Sequence, residues 1–368
     1  GQINVEYKKP QLCEKERLHI NLYANHMGRM EANINAASMV GKSKKWSTIL
    51  FGSGANFTQQ PDHNHDGFAD LPKLQNLTLK NRWHYQGSKF ESQMGVQGLI
   101  EKRTGGQLSF DANLPHNTAN GYGIGINTKR VEAFAKLGVF LPHEYQSIGN
   151  MVQVVYHAQD MFFGLKNYSG TQKSLYYSSI YQSAVGGNEG HPFKVGISYV
   201  FDKYHETYND TLYQRTESVP GVFAEYTNKT RENLTLVAGV RADWHNLYGF
   251  FATPRLHIRY EPVEKTTIRA AVGSGFRTAN VFAENVNIFA SSRSLHITEA
   301  LQPEKAWNYG INITQKFTLN KHEGSLSVDA YRTHFVNQVV IDLFSTNNNI
   351  LVYNLSGKSF ANSLQAEL

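Results

Sequence analysis

Apolar and polar residues alternate with a period of two along most of this chain, the pattern of strands that present different environments on their two faces. In 234–244, Leu234, Leu236, Ala238, Val240, Ala242 and Trp244 fall on one face, with Thr235, Gly239, Arg241 and Asp243 on the other. In 307–317, Trp307, Tyr309, Ile311, Ile313 and Phe317 alternate with Asn308, Gly310, Asn312, Thr314 and Lys316. The segment 193–201 repeats the pattern with Phe193, Val195, Ile197, Tyr199 and Phe201. Shorter runs recur at Leu18–Ile20–Leu22–Ala24, Met30–Ala32–Ile34–Ala36, Val222–Ala224–Tyr226 and Leu326–Val328–Ala330. The alternation predicts about fifteen strands, most of roughly 9–15 residues, longer than the five or six usual in globular sheets. No 3.6-residue period lasts long enough for a helical domain, although 278–300 has room for a short helix or two within a connection.

The predicted connections come in two kinds. Short turns are expected at 228–231, 261–264 and 320–324, and long polar or Gly-rich segments at 58–76, 102–145, 205–217 and 278–302. Long strands with one apolar face, joined by short turns at one end and long loops at the other, describe a transmembrane antiparallel β-barrel with a wet lumen. Trp46, Trp83, Trp244 and Trp307, near predicted strand ends, would join its interfacial girdles.

Composition fits this picture. Charged residues are 18% and aromatic residues 12%, against about 25% charged in an ordinary soluble domain. No run of about 18 apolar residues exists, which excludes a transmembrane helix and leaves a barrel untouched, since its strands need only about 9–11 residues. The net charge of +6 is scattered, with no Lys/Arg tract of the kind that binds nucleic acid. Cys13 is the only cysteine, so neither an internal disulfide nor a thiolate metal cluster can form. Nucleophile elbows, phosphate loops and His-Glu-x-x-His motifs are absent, and an enzyme is not expected.

Several segments, taken in order, resemble the barrel of TonB-dependent outer-membrane receptors. Pro254-Arg255-Leu256 is followed by Arg269-Ala270-Ala271-Val272-Gly273-Ser274-Gly275-Phe276-Arg277-Thr278-Ala279-Asn280, then by Leu301-Gln302-Pro303-Glu304 and Trp307-Asn308-Tyr309-Gly310. Upstream, Phe223-Ala224-Glu225-Tyr226 and 237–243 match earlier strands of the family. The wording of 280–310 is similar to receptors of the Bacteroidetes. The resemblance marks Gly275, Phe276, Arg277, Asn280, Pro303 and Glu304 as family positions. It implies a barrel of about 22 strands in the full family fold, in the outer membrane of a Gram-negative bacterium. It also implies uptake of a ferric siderophore, haem or cobalamin, driven by the TonB–ExbB–ExbD complex through a plug. No plug counterpart is found, and 365–368 reads as mid-strand, so a partial barrel is expected. A passive porin and a secreted all-β binding protein are the alternatives.

Three features could carry chemistry. Asp62-His63-Asn64-His65-Asp66-Gly67-Phe68-Ala69-Asp70 reads as the first nine positions of an EF-hand-like loop. Asp62, Asn64, Asp66, the Phe68 carbonyl and Asp70 would then surround Ca²⁺, although Lys73 stands where the usual last acidic ligand belongs. His63 and His65 open a transition-metal alternative, and a hydrogen-bonded Asx turn needs no metal at all. Arg241, Arg255, Arg259 and Arg269 come from neighbouring strands, and Arg241 and Arg269 share the polar register. In the resemblance they pair with plug carboxylates or guide an anionic chelate. His296 lies between the Phe276-Arg277 and Pro303-Glu304 elements, the layout of haem receptors in this family. His116, His143 and His191 also lie in predicted loops.

Overall fold

A computed structural model describes residues 17–115, 117–187 and 189–368. Cys13 and His116 lie outside the described residues. The strands, in chain order, are β1 (Leu18–Ala24), β2 (Met30–Val40), β3 (Trp46–Phe57), β4 (Lys73–Gln86), β5 (Phe90–Gly106), β6 (Gly123–Phe140), β7 (Ser147–Phe163), β8 (Lys166–Ala184), β9 (Pro192–Tyr208), β10 (Thr211–Arg231), β11 (Leu234–His245), β12 (Gly249–Val263), β13 (Thr266–Arg277), β14 (Ser294–Ile297), β15 (Glu304–Leu319), β16 (His322–Asn337), β17 (Val339–Asp342), β18 (Asn349–Asn354) and β19 (Ser359–Glu367). Sixteen of them hydrogen-bond in chain order from β1 to β19, while β14, β18 and β17 form a separate three-stranded sheet. The count exceeds the expected fifteen, and the all-β antiparallel expectation stands. One short helix, α1 (Val281–Glu284), and a 3₁₀ turn at Val286–Ala290 occupy the connection where helix was foreseen.

The contacts divide the strands into two units, 1–140 with 149–178 and 199–218, and 141–148 with 179–198 and 219–368. In the first unit the register aligns Ile34, Gly52, Leu79 and Gly98 across β2 to β5. Leu77 stands beside Ile100 on the same face. In the second, one face carries the row Ala238–Leu256–Val272–Tyr309 and the row Ala270–Ile311–Ala330–Leu364. These apolar rows are exposed: Val96 is 58% accessible, Val240 52% and Leu364 79%. A soluble protein rarely presents apolar area of that extent, so this face requires a nonaqueous covering. The opposite faces carry Arg, Glu, Asp, Asn and Thr (Glu101 beside Asn76, Asn312 beside Asp329).

The two ends of the strands differ. In the second unit, 232–233, 264–265 and 320–321 close one end, where Asn320 and Lys321 take positive φ (47° and 72°), as tight hairpin turns require. The other end carries 246–248, 278–303 and 338–358. In the first unit the long connections are 58–72 and 107–122, against 41–45 and 87–89 at the opposite end. Two expected loops are corrected. Much of 102–145 is strand, because β5 runs to Gly106 and β6 starts at Gly123; 205–217 is a hairpin turning at Asn209–Asp210. The end of β6 projects beyond the apolar rows, with Gly123, Gly125 and Asn127 on the face that is apolar lower down, so the expected alternation is lost while the hydrogen-bonded ladder continues.

The buried apolar cluster of the second unit lies under its long connections. Phe282, Ile288 and Phe289 from 278–303 and Ile350 and Val352 from β18 are all at most 5% exposed. The segment 338–358 was not singled out as a connection, although its apolar runs at 339–341 and 350–352 gave a signal.

Candidate substrate-binding wall

The site is built on the polar face of β10–β16, where the register sets side chains in rows. One row runs Glu225, Gly239, Arg255, Gly273, Asn308 and Thr333. Arg255 crosses to Glu225, Nη2 to Oε2 at 2.5 Å, and Lys194 reaches the other oxygen at 3.5 Å. Glycine at 239 allows this crossing, since a Cβ there would meet Arg255 Nε at 2.9 Å. Arg241 holds Asp243 through two contacts of 2.7 and 2.6 Å and donates to Ser198 Oγ at 2.7 Å. Arg259 is paired with Glu261. The arginine ladder is thus largely neutralised within the wall, and Glu225, Asp243 and Glu261 are its partners.

Arg269 differs. It stands directly opposite Arg259, a like-charge neighbour, and its Nη1 donates only to the Asn312 amide oxygen at 3.0 Å. Asn312 in turn donates to Asp329 and Ser327 at 2.9 Å. No carboxylate pairs with Arg269 among the described residues. Beside this row, Arg255, His257, Gly273, Gly275, Arg277 and Asn308 line a cavity of about 480 Å³. No Cβ fills the space at Gly275. Glu304 also lines the cavity, and Arg255 and Arg277 are ion-paired, so the recess offers paired guanidinium groups that a ligand carboxylate or an acidic protein segment would have to share with Glu225, Glu284 and Glu304.

The family positions build the rim of this wall. Arg277 and Glu304 are register partners at the mouth of the 278–303 connection and form an ion pair. Arg277 also holds Glu284 of α1 at 3.0 Å, and Glu284 accepts from the Asn280 amide at 3.1 Å. Glu304, buried, accepts from the Val339 amide at 3.1 Å and so ties in the second long connection. Asn337 donates to the Pro303 carbonyl at 2.8 Å. Phe276 stacks on Phe251 with ring centres 3.8 Å apart, and the Lys305 ammonium lies 4.9 Å from the same ring. Sequence reasoning marked Arg277, Asn280 and Glu304 but missed Glu284, which only helix α1 brings into reach.

His296 lies on β14, opposite Leu351 of β18, and is exposed. The edge of this small sheet bears Asp342, whose carboxylate accepts from the Ser345 hydroxyl, the Phe344 amide at 2.8 Å and the Ser345 amide at 2.9 Å. The Ser345 hydroxyl bond leads in holding that carboxyl down to about 2, with the two amides adding to it. His143 and His191 lie in connections of the second unit, and His191 bonds and stacks with Tyr226.

The 62–70 loop folds as a run of Asx turns. Asp62 accepts from the amides of Asp66 and Gly67 at 3.2 and 3.1 Å, and Asp66 from the Phe68 amide at 2.8 Å. Asp70 is engaged by His63, through its amide at 2.9 Å and its ring at 2.8 Å, and these bonds lower its carboxyl pKa, the amide first. Gly67 takes φ 82° and His65 φ 58°. Phe68 bridges to Gln107, tying the loop to 107–122. Among the described residues no three His, Cys, Asp or Glu side chains gather in a metal-binding cluster.

A search of curated proteins finds no match. Among solved structures, the siderophore receptor PirA from Pseudomonas aeruginosa is similar with TM-score 0.65 at 12% identity, over 92% of this chain and 59% of that one. A mutant of the ferric enterobactin receptor PfeA from Pseudomonas aeruginosa gives TM-score 0.68 at 11% identity, over 95% and 58%. The copper transporter OprC gives 0.70 at 10%, over 95% and 57%. The chain thus spans less than two thirds of these proteins, and identities this low speak for the fold alone. The family profile "TonB dependent receptor-like, beta-barrel" matches residues 40–362. The chain therefore belongs to the TonB-dependent receptor β-barrel family.

Proposed function

We propose that this chain supplies the wall of a Gram-negative outer-membrane receptor that imports a scarce metal chelate, a ferric siderophore before haem or cobalamin, with energy from the TonB–ExbB–ExbD complex. The observation that carries this reading is the segregation of the faces. Apolar rows stand exposed on one side of the same strands whose other side holds the charged wall and its recess. Membership of the family and the siderophore and copper receptors among its structural neighbours support the chelate class. Arg269, free of carboxylates, is the wall residue we assign to the anionic chelate, while Arg241 acts structurally. His296 is the residue we assign to haem iron if haem is the cargo.

The test is uptake by cells carrying the full-length gene, supplied in turn with a ferric siderophore, haem or cobalamin as sole source. Uptake that stops when TonB is deleted supports the reading. Uptake that continues without TonB identifies a passive channel instead.

The 62–70 loop fits a Ca²⁺ role in the same receptor, with Asp62, Asn64, Asp66, the Phe68 carbonyl and Asp70 as ligands. The amide bonds to Asp62 already hold the loop in a turn that such ligation uses, and a cation would draw Asp70 away from His63. Calorimetric titration with Ca²⁺ should give a heat that Asp62→Asn together with Asp66→Asn removes; no heat in the unsubstituted receptor discards the role.

A further inference from the structure

The apolar face carries an uneven set of charges. In the paired registers of β1–β6, β10–β13, β15, β16 and β19, no Asp or Glu stands on that face. Cations do, and they gather toward the ends that lead into the long connections. In the first unit, Lys102 stands opposite Gln75 of β4 and Asn127 of β6. Lys73 is opposite Thr104 and Lys129 opposite Ile100, each one diagonal step from Lys102. Such steps separate residues by about 7–8 Å, within reach of flexible lysine stems that converge on one group. Below them the face turns apolar at Leu77, Leu79 and Val96. None of the three lysines has a carboxylate partner among the described residues.

A cavity of about 350 Å³ opens beside Lys73 and Lys102, with Gln75 and Thr104 on its wall and Phe110 and Asp111 from the 107–122 connection over it. Asp111 is occupied with its own loop, accepting from the amide and the side chain of Asn113 at 2.9 Å each. The recess therefore offers ammonium groups and amide and hydroxyl donors directly above an apolar surface.

We propose that this recess binds the phosphorylated head group of a lipid in the outward leaflet, with Lys73 and Lys102 on the phosphate, Lys129 at its lower edge and the acyl chains lying on the apolar rows. The argument is charge complementarity. Cations at the boundary of a hydrocarbon slab attract anionic head groups; the three lysines outnumber the one carboxylate at the recess, Asp111, and their stems lie along apolar surface while the ammonium reaches the boundary. Long connections mark the outward end of such barrels. The inference rests on the outer-membrane placement proposed above.

The test uses the full-length receptor in detergent, titrated with phosphorylated lipid A, with the same lipid after phosphatase treatment, and with inorganic phosphate. Phosphorylated lipid A should bind the unsubstituted receptor, and replacing all three lysines by Gln should weaken it about tenfold or more. The triple Arg replacement should keep the affinity, which separates charge from misfolding. Equal binding of the phosphatase-treated lipid, or no change in the Gln variant, overturns the proposal. Inorganic phosphate bound as tightly as the lipid overturns the lipid assignment. Fractionation of cells reports separately on the underlying placement: a receptor found in the outer membrane that shows no phosphate preference refutes the lipid site alone, and one found elsewhere refutes both.

Discussion

At the residue scale, the close approaches in the wall name the substitutions that matter. A Cβ at Gly310 would come within 2.1 Å of the Tyr331 ring, whereas one at Gly275 meets nothing within 4 Å. Gly310→Val should therefore destabilise the reconstituted protein by about 1–3 kcal/mol through overpacking, and Gly275→Ala should be close to neutral, as read by urea unfolding in bilayers. Asp342 sets a pH limit on its loop. Its carboxyl titrates at about 2, below the roughly 3.9 of an unfolded aspartate. A depressed pKa means that its contribution to the turn is fully present above about pH 4 and is lost as pH falls toward 2. The amide shifts of Phe344 and Ser345 should follow that titration, and Asp342→Asn should abolish it. At the rim, Arg277→Ala removes both the Glu284 and the Glu304 contacts. It should expose the 278–303 connection to protease while leaving the β13–β15 ladder protected in hydrogen exchange. Equal cleavage rates in variant and parent would show that the rim does not hold the connection.

At the scale of the element, a strand of this protein has an address for every side chain, because a step of one residue changes its solvent. Ile311 lies in mid-face, between Ala270 and Ala330. Ile311→Arg should cost about 2–4 kcal/mol if the face meets hydrocarbon, whereas Asn308→Arg, on the polar row, should cost little. Unfolding of the two variants in bilayers compares them directly. The same logic explains what could be read in advance. Strands 234–244 and 307–317 were legible because both faces stay in contrasting surroundings for their full length. The upper part of β6 was not, since Gly123, Gly125 and Asn127 stand on the face that is apolar further along the strand, and a Gly-rich stretch reads as a loop. Arg241 with Asp243 and Arg259 with Glu261 are two-residue neighbours on one face of a strand, whereas the partner of Arg255 was not legible. Glu225 lies 30 residues from Arg255, and only the shared row brings them together.

At the scale of the whole molecule, the alternation and the ordered family segments fixed the class of fold, the polarity of the two faces and the division into short and long connections. Those properties are local, each following from side-chain periodicity or from turn chemistry, so a linear reading recovers them. The tertiary structure alone decided which charges remain available. Three of four wall arginines are satisfied by carboxylates from other positions or neighbouring strands, leaving Arg269 beside a like charge. It likewise decided that Glu304 joins two long connections and that Lys73, Lys102 and Lys129 form one diagonal. Register is a relation between strands far apart in the chain, and no property of a single strand encodes it.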